Sequence, residues 1–316
     1  MITICMATYN GEDLLAEQLA TLASQSLLPS ELIVCDDASH DGTVRILETF
    51  ASSAPFRVRV VQNSANLGWA RALRRGVCLA NSDLIALADQ DDRWLPHKLE
   101  CAALALRDNP TVEAVAGDSL PFSGDSADPQ RPTMWRVIRR RGALLPDIHI
   151  LAQRNFISAH NLVVRRSSLE RFLWPDEALS PDYWLALAFS ARGSLLLINK
   201  VLVHHRLHPR QSVGLVRAHR AQPDPTPWEA AASTIELFIS FATVADLDLE
   251  ADVVATLQEH ACFLRRRAAY IAAPRREWRE LVRLMRSPRS YWKFAHSYRS
   301  LAADLLALGQ AGATLA

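Results

Sequence analysis

Residues 31–43 read Glu31-Leu32-Ile33-Val34-Cys35-Asp36-Asp37-Ala38-Ser39-His40-Asp41-Gly42-Thr43. A short apolar run breaks into a polar, acidic turn and then into a new helical pattern over Thr43 to Phe50. Such a run is the signature of a strand buried on both faces, with a loop at its C-terminal end. The same unit recurs on either side. Ile2 to Met6 reads as a strand followed by a helix over Glu12 to Ser24. Val58 to Gln62 is a strand followed by a helix over Ala70 to Ala80, and Leu84 to Ala88 is a further strand. Strands alternating with helices predict βαβ units and a mostly parallel sheet.

Ligands of open parallel sheets bind beyond the C-terminal ends of the strands. Three polar loops fall there: Ala7-Thr8-Tyr9-Asn10-Gly11, the acidic turn quoted above, and Asp89-Gln90-Asp91-Asp92. Part of this is turn and helix-cap chemistry, the simpler role for Asp41 and Thr43. Several carboxylates at the end of one apolar strand repel each other unless compensated, and a hard divalent cation is the economical partner for Asp89 and Asp91. Neither GxGxxG nor GxxxxGK[ST] occurs, so a dinucleotide-binding oxidoreductase or a P-loop enzyme has no support.

Further along, residues 117–134 are rich in Ser, Asp, Pro and Gly and read as a surface loop. Ile157 to Val164 reads as a strand, Tyr183 to Ser190 as a helix and Ser194 to Val203 as a strand. A Pro-rich link (Pro223, Pro225, Pro227) leads into a helical pattern that runs to the end, and a domain boundary is expected there.

The bulk composition is that of a globular protein, 316 residues at 49% hydrophobic, and the net charge of +1 gives no reason to expect a nucleic-acid partner. Five scattered cysteines without a CxxC pair argue against a disulfide framework or a zinc site. Met1 runs straight into a strand with no room for a signal peptide, and no apolar stretch is long enough to span a bilayer, so a cytoplasmic location is expected. Residues 265–299 hold eleven Arg and Lys against two Glu. Trp278, Leu281, Val282 and Met285 fall on one helix face there. Two readings stand: a basic helix lying peripherally on the inner face of an anionic membrane, or an apolar stripe packed on the rest of the protein.

In that order and spacing, Met6 to Gly11, Cys35 to Thr43, Asn66-Leu67-Gly68 with Arg71, and Ala88 to Trp94 resemble the family-2 glycosyltransferases of GT-A fold, rhamnosyltransferase-like branch. Asn155 to Asn161, Asp182-Tyr183-Trp184 and His205 to His208 extend the resemblance, which covers roughly residues 1–214. It implies a GT-A catalytic domain over 1–222, with a nucleotide-sugar half at 1–116 and an acceptor half at 117–222, plus a helical C-terminal region at 223–316. It implies an inverting, metal-dependent transferase. The donor would be a dTDP- or UDP-linked sugar, with dTDP-rhamnose favoured. The acceptor would be a saccharide or lipid-linked saccharide of surface polysaccharide assembly. Thr8, Asn10, Asp36, Asp37 and Arg71 would form the donor pocket. Asp89 and Asp91 would hold Mg2+ or Mn2+, with Asp89 nearer the ribose and His208 completing the metal site or touching the diphosphate. Asp182 would be the base, and His160, Asn161 and Tyr183 would face the acceptor.

Two departures accompany the resemblance. Pro181 stands where close members often carry His, and Arg210-Gln211 follows His208 where a small or amide-rich pair is usual. A non-catalytic module of the same fold is the alternative, and the presence of Asp89, Asp91 and Asp182 speaks against it. A nucleotidyltransferase would carry a Gly-rich phosphate loop where this chain has Asn10-Gly11-Glu12.

Overall fold

A computed structural model describes residues 1–124, 127–128, 131–138, 147–153, 155–178, 180–208, 226–245 and 247–272. They form two compact units, one from Met1–Asp147 with Phe156–Arg206, the other from Ile148–Asn155 with Leu207–Ala316.

The first unit opens with β1 (Ile2–Thr8), α1 (Leu15–Ala23), β2 (Glu31–Asp36), α2 (Thr43–Ala51), β3 (Arg57–Gln62), α3 (Trp69–Leu79) and β4 (Leu84–Ala88). β1 and β2 are almost wholly buried, whereas β3 alternates Arg57 and Arg59 with valines and is only half-buried, as befits an edge strand. The chain then makes β5 (Arg93–Trp94), α4 (Lys98–Asp108), β6 (Ala114–Phe122), α5 (Met134–Ile138), and, after α6 (Ile148–Gln153) of the other unit, β7 (Leu162–Arg165), α7 (Arg166–Arg171), α8 (Pro181–Ala191) and β8 (Leu195–Arg206).

Eight strands form one sheet in the order β3-β2-β1-β4-β7-β6-β8-β5. β3, β2, β1 and β4 are all parallel, β7 runs antiparallel to β4 and β6, and β8 returns parallel to β6. The sheet is thus mixed, with its parallel part at the N-terminal end. The register aligns Thr8 with Asp36, Asp36 with Gln62, and Met6 with Ala88, so the polar loops after these strands open on one rim. Strand order reverses between β1 and β4, which is where a ligand crevice forms in such sheets.

The structure corrects two expectations. Residues 117–134 do not form one surface loop: Ala114–Phe122 is a strand buried along its whole length. Its small and polar residues sit at a double irregularity in the β6–β8 pairing, between Gly117 and Ser119. There the Asp118 carboxylate takes the amide N–H of Ser119 at 2.8 Å and of Trp135 at 3.0 Å. Local composition signalled a turn, and tertiary partners overrode it. The strand expected over Ile157 to Val164 begins only at Leu162, and Ala159–Asn161 form a 3₁₀ turn. Side-chain bonds of His160 and Asn161, described below, hold that turn.

In the second unit α9 (Thr226–Val244) packs against α10 (Ala251–Ala272), and α6 packs on α10, where His260 Nδ1 lies 3.1 Å from the Ala152 carbonyl. No described helix is long and apolar enough to cross a membrane. The expected boundary at Pro223 and the basic stretch from 273 onward lie outside the described residues.

Gly117 is placed for close strand packing: a Cβ there would meet Leu202 Cδ1 at 2.5 Å and Cγ at 2.8 Å. Gly117→Ala is therefore expected to lower stability by about 1–3 kcal/mol through overpacking. Chemical denaturation reads this out, and an unchanged midpoint would contradict the packing described.

Candidate active site

Each loop at the rim is fixed by its own hydrogen bonds. Thr8 Oγ1 donates to Asp36 Oδ1 at 2.9 Å, and the Ser39 amide and hydroxyl close on the same carboxylate at 2.9 and 2.6 Å. Asp37 is buried and accepts from Asn63 Nδ2, the Leu67 amide and the Gly68 amide, all at 2.8 Å. It thereby anchors the loop that starts α3, where Gly68 takes φ +88°. Asn10, at φ +45°, accepts the His40 amide on Oδ1 at 2.9 Å. Gln90 clasps the Tyr9 backbone, accepting its N–H at 2.9 Å and donating to its carbonyl at 3.1 Å.

At the end of β4, carboxylate oxygens of Asp89, Asp91 and Asp92 lie within 4.8 Å of one another. Asp92 is fully buried. Its Oδ1 receives His205 Nδ1 and the Arg206 amide, both at 2.9 Å. The Arg206 guanidinium donates to the Asp91 carbonyl at 2.8 Å and pairs with Glu17 of α1. These partners arrive because β5 pairs antiparallel with the last residues of β8, Arg93 opposite His204. Burial opposes charge on both Asp92 and His205. Nearby opposite charge outweighs it: His160 and His205 hold the Asp92 carboxyl below its ordinary range, and Asp92, with Asp89 and Asp91, pushes the His205 imidazole up to about 9.

The His160 ring stacks on that of His205, centroids 4.8 Å apart. Lys98 is buried, with Nζ 3.2 Å from the Trp94 ring centroid and no hydrogen-bond partner among the described residues. Burial pushes its ammonium well down, against the pull of Asp92 and Asp89.

Asp182 occupies the first turn of α8, after Pro181 at the start of the helix. Proline is favoured there because its missing N–H has no helical partner to lose. Burial pushes the Asp182 carboxyl up to about 6, and the Asp89 charge adds to the rise. The Tyr183 amide at 2.8 Å and His160 pull the other way. Tyr183 is buried, and burial together with Asp182 raises its phenol.

Arg71 Nε donates to the Asp176 carbonyl at 3.1 Å. His208 falls in the second unit, and Arg210-Gln211 lie outside the described residues. Sequence reasoning assigned no site role to Asp92, His205, Arg206, Ser119 or Lys98, although it met the first three within its motifs. Asp92 stands next to Asp91, and the His-His-Arg run at the end of an apolar strand was a usable signal. Nothing in sequence marked Lys98.

Three carboxylates at one strand end make a hard-oxygen donor set that fits Mg2+ or Mn2+. The sequence model of glycosyl transferase family 2 matches residues 3–173, more than half of the chain. The chain belongs to this family. It is 36% identical over 121 residues to a putative glycosyltransferase, EpsE, of Bacillus subtilis, covering 38% of this chain and 44% of EpsE. It is 36% identical over 101 residues to the dTDP-rhamnosyl transferase RfbG of Shigella flexneri, covering 31% of this chain and 35% of RfbG. Against WfgD of Escherichia coli, a UDP-Glc:alpha-D-GlcNAc-diphosphoundecaprenol beta-1,3-glucosyltransferase, identity is 27% over 206 residues, 63% of this chain and 73% of that one. The chain thus spans less than half the length of EpsE.

The GT-A fold is shared with solved structures. Staphylococcus aureus TarS residues 1–349 align with TM-score 0.61 and 17% identity, over 98% of this chain and 89% of that one. The Pyrobaculum calidifontis mannosyltransferase PcManGT, solved with GDP-Man and Mn2+, aligns with TM-score 0.58 and 20% identity, over 99% and 86%.

Because Asp37 is buried and accepts from three N–H donors, Asp37→Asn turns a donor toward N–H groups and is expected to cost about 1–3 kcal/mol. Thermal unfolding measures it, and a melting temperature equal to wild type would refute the anchoring role.

Proposed function

We propose that the chain is an inverting glycosyltransferase that moves a sugar from a nucleotide-diphosphate donor to a saccharide or lipid-linked saccharide acceptor in surface polysaccharide assembly. The observation that carries this is the convergence of Asp89, Asp91 and Asp92 at the switch point of a family-2 sheet. Asp182, whose carboxyl is tuned to about 6, belongs to the same unit.

The donor is dTDP- or UDP-linked, with dTDP-rhamnose favoured by the likeness to RfbG and UDP by the likeness to WfgD. WfgD's diphosphoundecaprenol substrate also supports a lipid-linked acceptor and peripheral membrane contact. Asn10 and the loop 66–68 would surround base and ribose, held from beneath by Thr8, Asp36 and Asp37, with Arg71 at the phosphate side. Asp91, with Asp89 and Asp92, would hold Mg2+ or Mn2+, as the Mn2+ of PcManGT suggests. That ion would supply charge neutralisation of the departing diphosphate.

Asp182 takes the proton of the acceptor hydroxyl as its oxygen bonds to the anomeric carbon and the bond from that carbon to the diphosphate breaks. One displacement with one base inverts the configuration. A carboxyl near 6 is stronger as a base than an ordinary aspartate and still ionised at neutral pH.

Asp182→Asn should lower kcat by about 10²–10⁴ and leave donor KM nearly unchanged. In the wild type, kcat/KM should fall tenfold per pH unit below about 6, where Asp182 becomes protonated. A flat profile down to pH 5 would remove Asp182 as the base.

A thermal-shift panel of UDP, dTDP, GDP and CMP with and without Mn2+ tests donor binding. A ligand confined to the folded state raises the melting temperature as its concentration exceeds Kd. One nucleotide should give a Mn2+-dependent shift that Asp91→Ala abolishes. No shift with any nucleotide would overturn the transferase reading in favour of a non-catalytic module.

A further inference from the structure

We propose that His160 is a positioning residue: its Nδ1–H, set in that tautomer by Ser119 and Asn161, orients Asp89 and Asp92 for the divalent cation. This rests on the transferase reading of the carboxylate cluster. It replaces the expected acceptor contact, because a side chain with 2% of its surface exposed has no face to offer an acceptor.

Both ring nitrogens are committed within the protein. Nδ1 lies 3.0 Å from Asp89 Oδ2 and 3.1 Å from Asp92 Oδ2, and Nε2 lies 2.9 Å from Ser119 Oγ. Proton bookkeeping follows from the neighbour. The Asn161 amide donates to one lone pair of Ser119 Oγ at 2.6 Å, and Nε2 is the acceptor within reach of the hydroxyl proton among the described residues. Asp89 Oδ2 can only accept from Nδ1, so the ring proton sits on Nδ1, between the two carboxylates, and Nε2 takes the hydroxyl proton. His205 closes the arrangement by stacking on His160 and binding the other oxygen of Asp92.

The three groups Asp92, His160 and His205 could themselves be taken for a metal site. His205 meets Asp92 in a 2.9 Å hydrogen bond, whereas His160 Nδ1 approaches Asp92 Oδ2 at 3.1 Å as an ion-pair contact and makes its hydrogen bond to Asp89. His160 thus stands between Asp89 and Asp92, relieves their repulsion and holds the Asp89 carboxylate by a hydrogen bond. Partners of this kind, bonded to ligands and not to the ion, are worth roughly 10–100-fold in metal affinity.

The geometry separates two amide substitutions. In His160→Asn the side-chain amide nitrogen can stand where Nδ1 stands, whereas in His160→Gln it reaches toward the Nε2 position. Mn2+ alone, titrated calorimetrically into full-length protein without nucleotide, reads the effect apart from turnover. His160→Asn should bind near the wild-type value, and His160→Gln should bind roughly 10–100-fold more weakly. Ser119→Ala, which frees the tautomer with little loss of volume, should also weaken binding. It decides the matter if neither His160 variant folds. Equal Mn2+ affinity in wild type, His160→Gln and Ser119→Ala would overturn the positioning role. So would equal weakening by both amides, since a merely structural histidine treats them alike. Failure of the wild type to bind Mn2+ would instead overturn the cation-site reading, and the role of His160 with it.

Discussion

A carboxylate with no exposed surface, Asp92, is the constraint around which the rim of this sheet is arranged. An unpaired charge in such a place costs several kcal/mol, so Asp92 requires partners that local sequence cannot supply. They come from residues more than a hundred positions away, His205 and the Arg206 backbone. The antiparallel pairing of β5 with β8 is what delivers them. Removing that pairing would leave the acidic run with its repulsion uncompensated.

The remaining carboxylates divide the labour. Asp36 and Asp37 are buried and spend their oxygens on loop backbones and side chains. Asp89 and Asp91 keep partial exposure at the crevice. Family membership and GT-A fold agree with this division: the N-terminal βαβ units carry the loops, and the strands that follow bring the groups that hold them in place.

Much of the architecture was legible. β1 to β4 and the helices between them announce themselves as apolar runs and 3.6-residue patterns, because a parallel sheet buried on both faces tolerates little else. Where polar residues are buried through distant partners, the signal inverts. Ser119 lies in a segment whose composition reads as loop, yet it is wholly buried beneath His160. The 3₁₀ turn at Ala159–Asn161 reads as strand because its apolar flanks conceal the two side chains that bend it. Lys98 was invisible for the same reason: a lysine on a helix is ordinarily solvated, and only tertiary structure places one over Trp94. At the site, residue types marked Asp89 and Asp91 as candidates, and the family resemblance added Asp182. The hydrogen-bond layer under them depends on side-chain directions that spacing does not encode.

The end of β8 bears on which changes of length the chain can inherit. His204, His205 and Arg206 follow one another, and in an extended strand each successive side chain points to the opposite face. His204 turns its ring edge to Phe122 while His205 binds Asp92. Insertion or deletion of one residue in the last part of β8 would exchange those two histidines and move Arg206 off the Asp91 carbonyl. Insertions in the connection between β6 and α5 leave that phase untouched. Lineages of this chain should therefore vary in length freely there and scarcely at all across the residues that end β8.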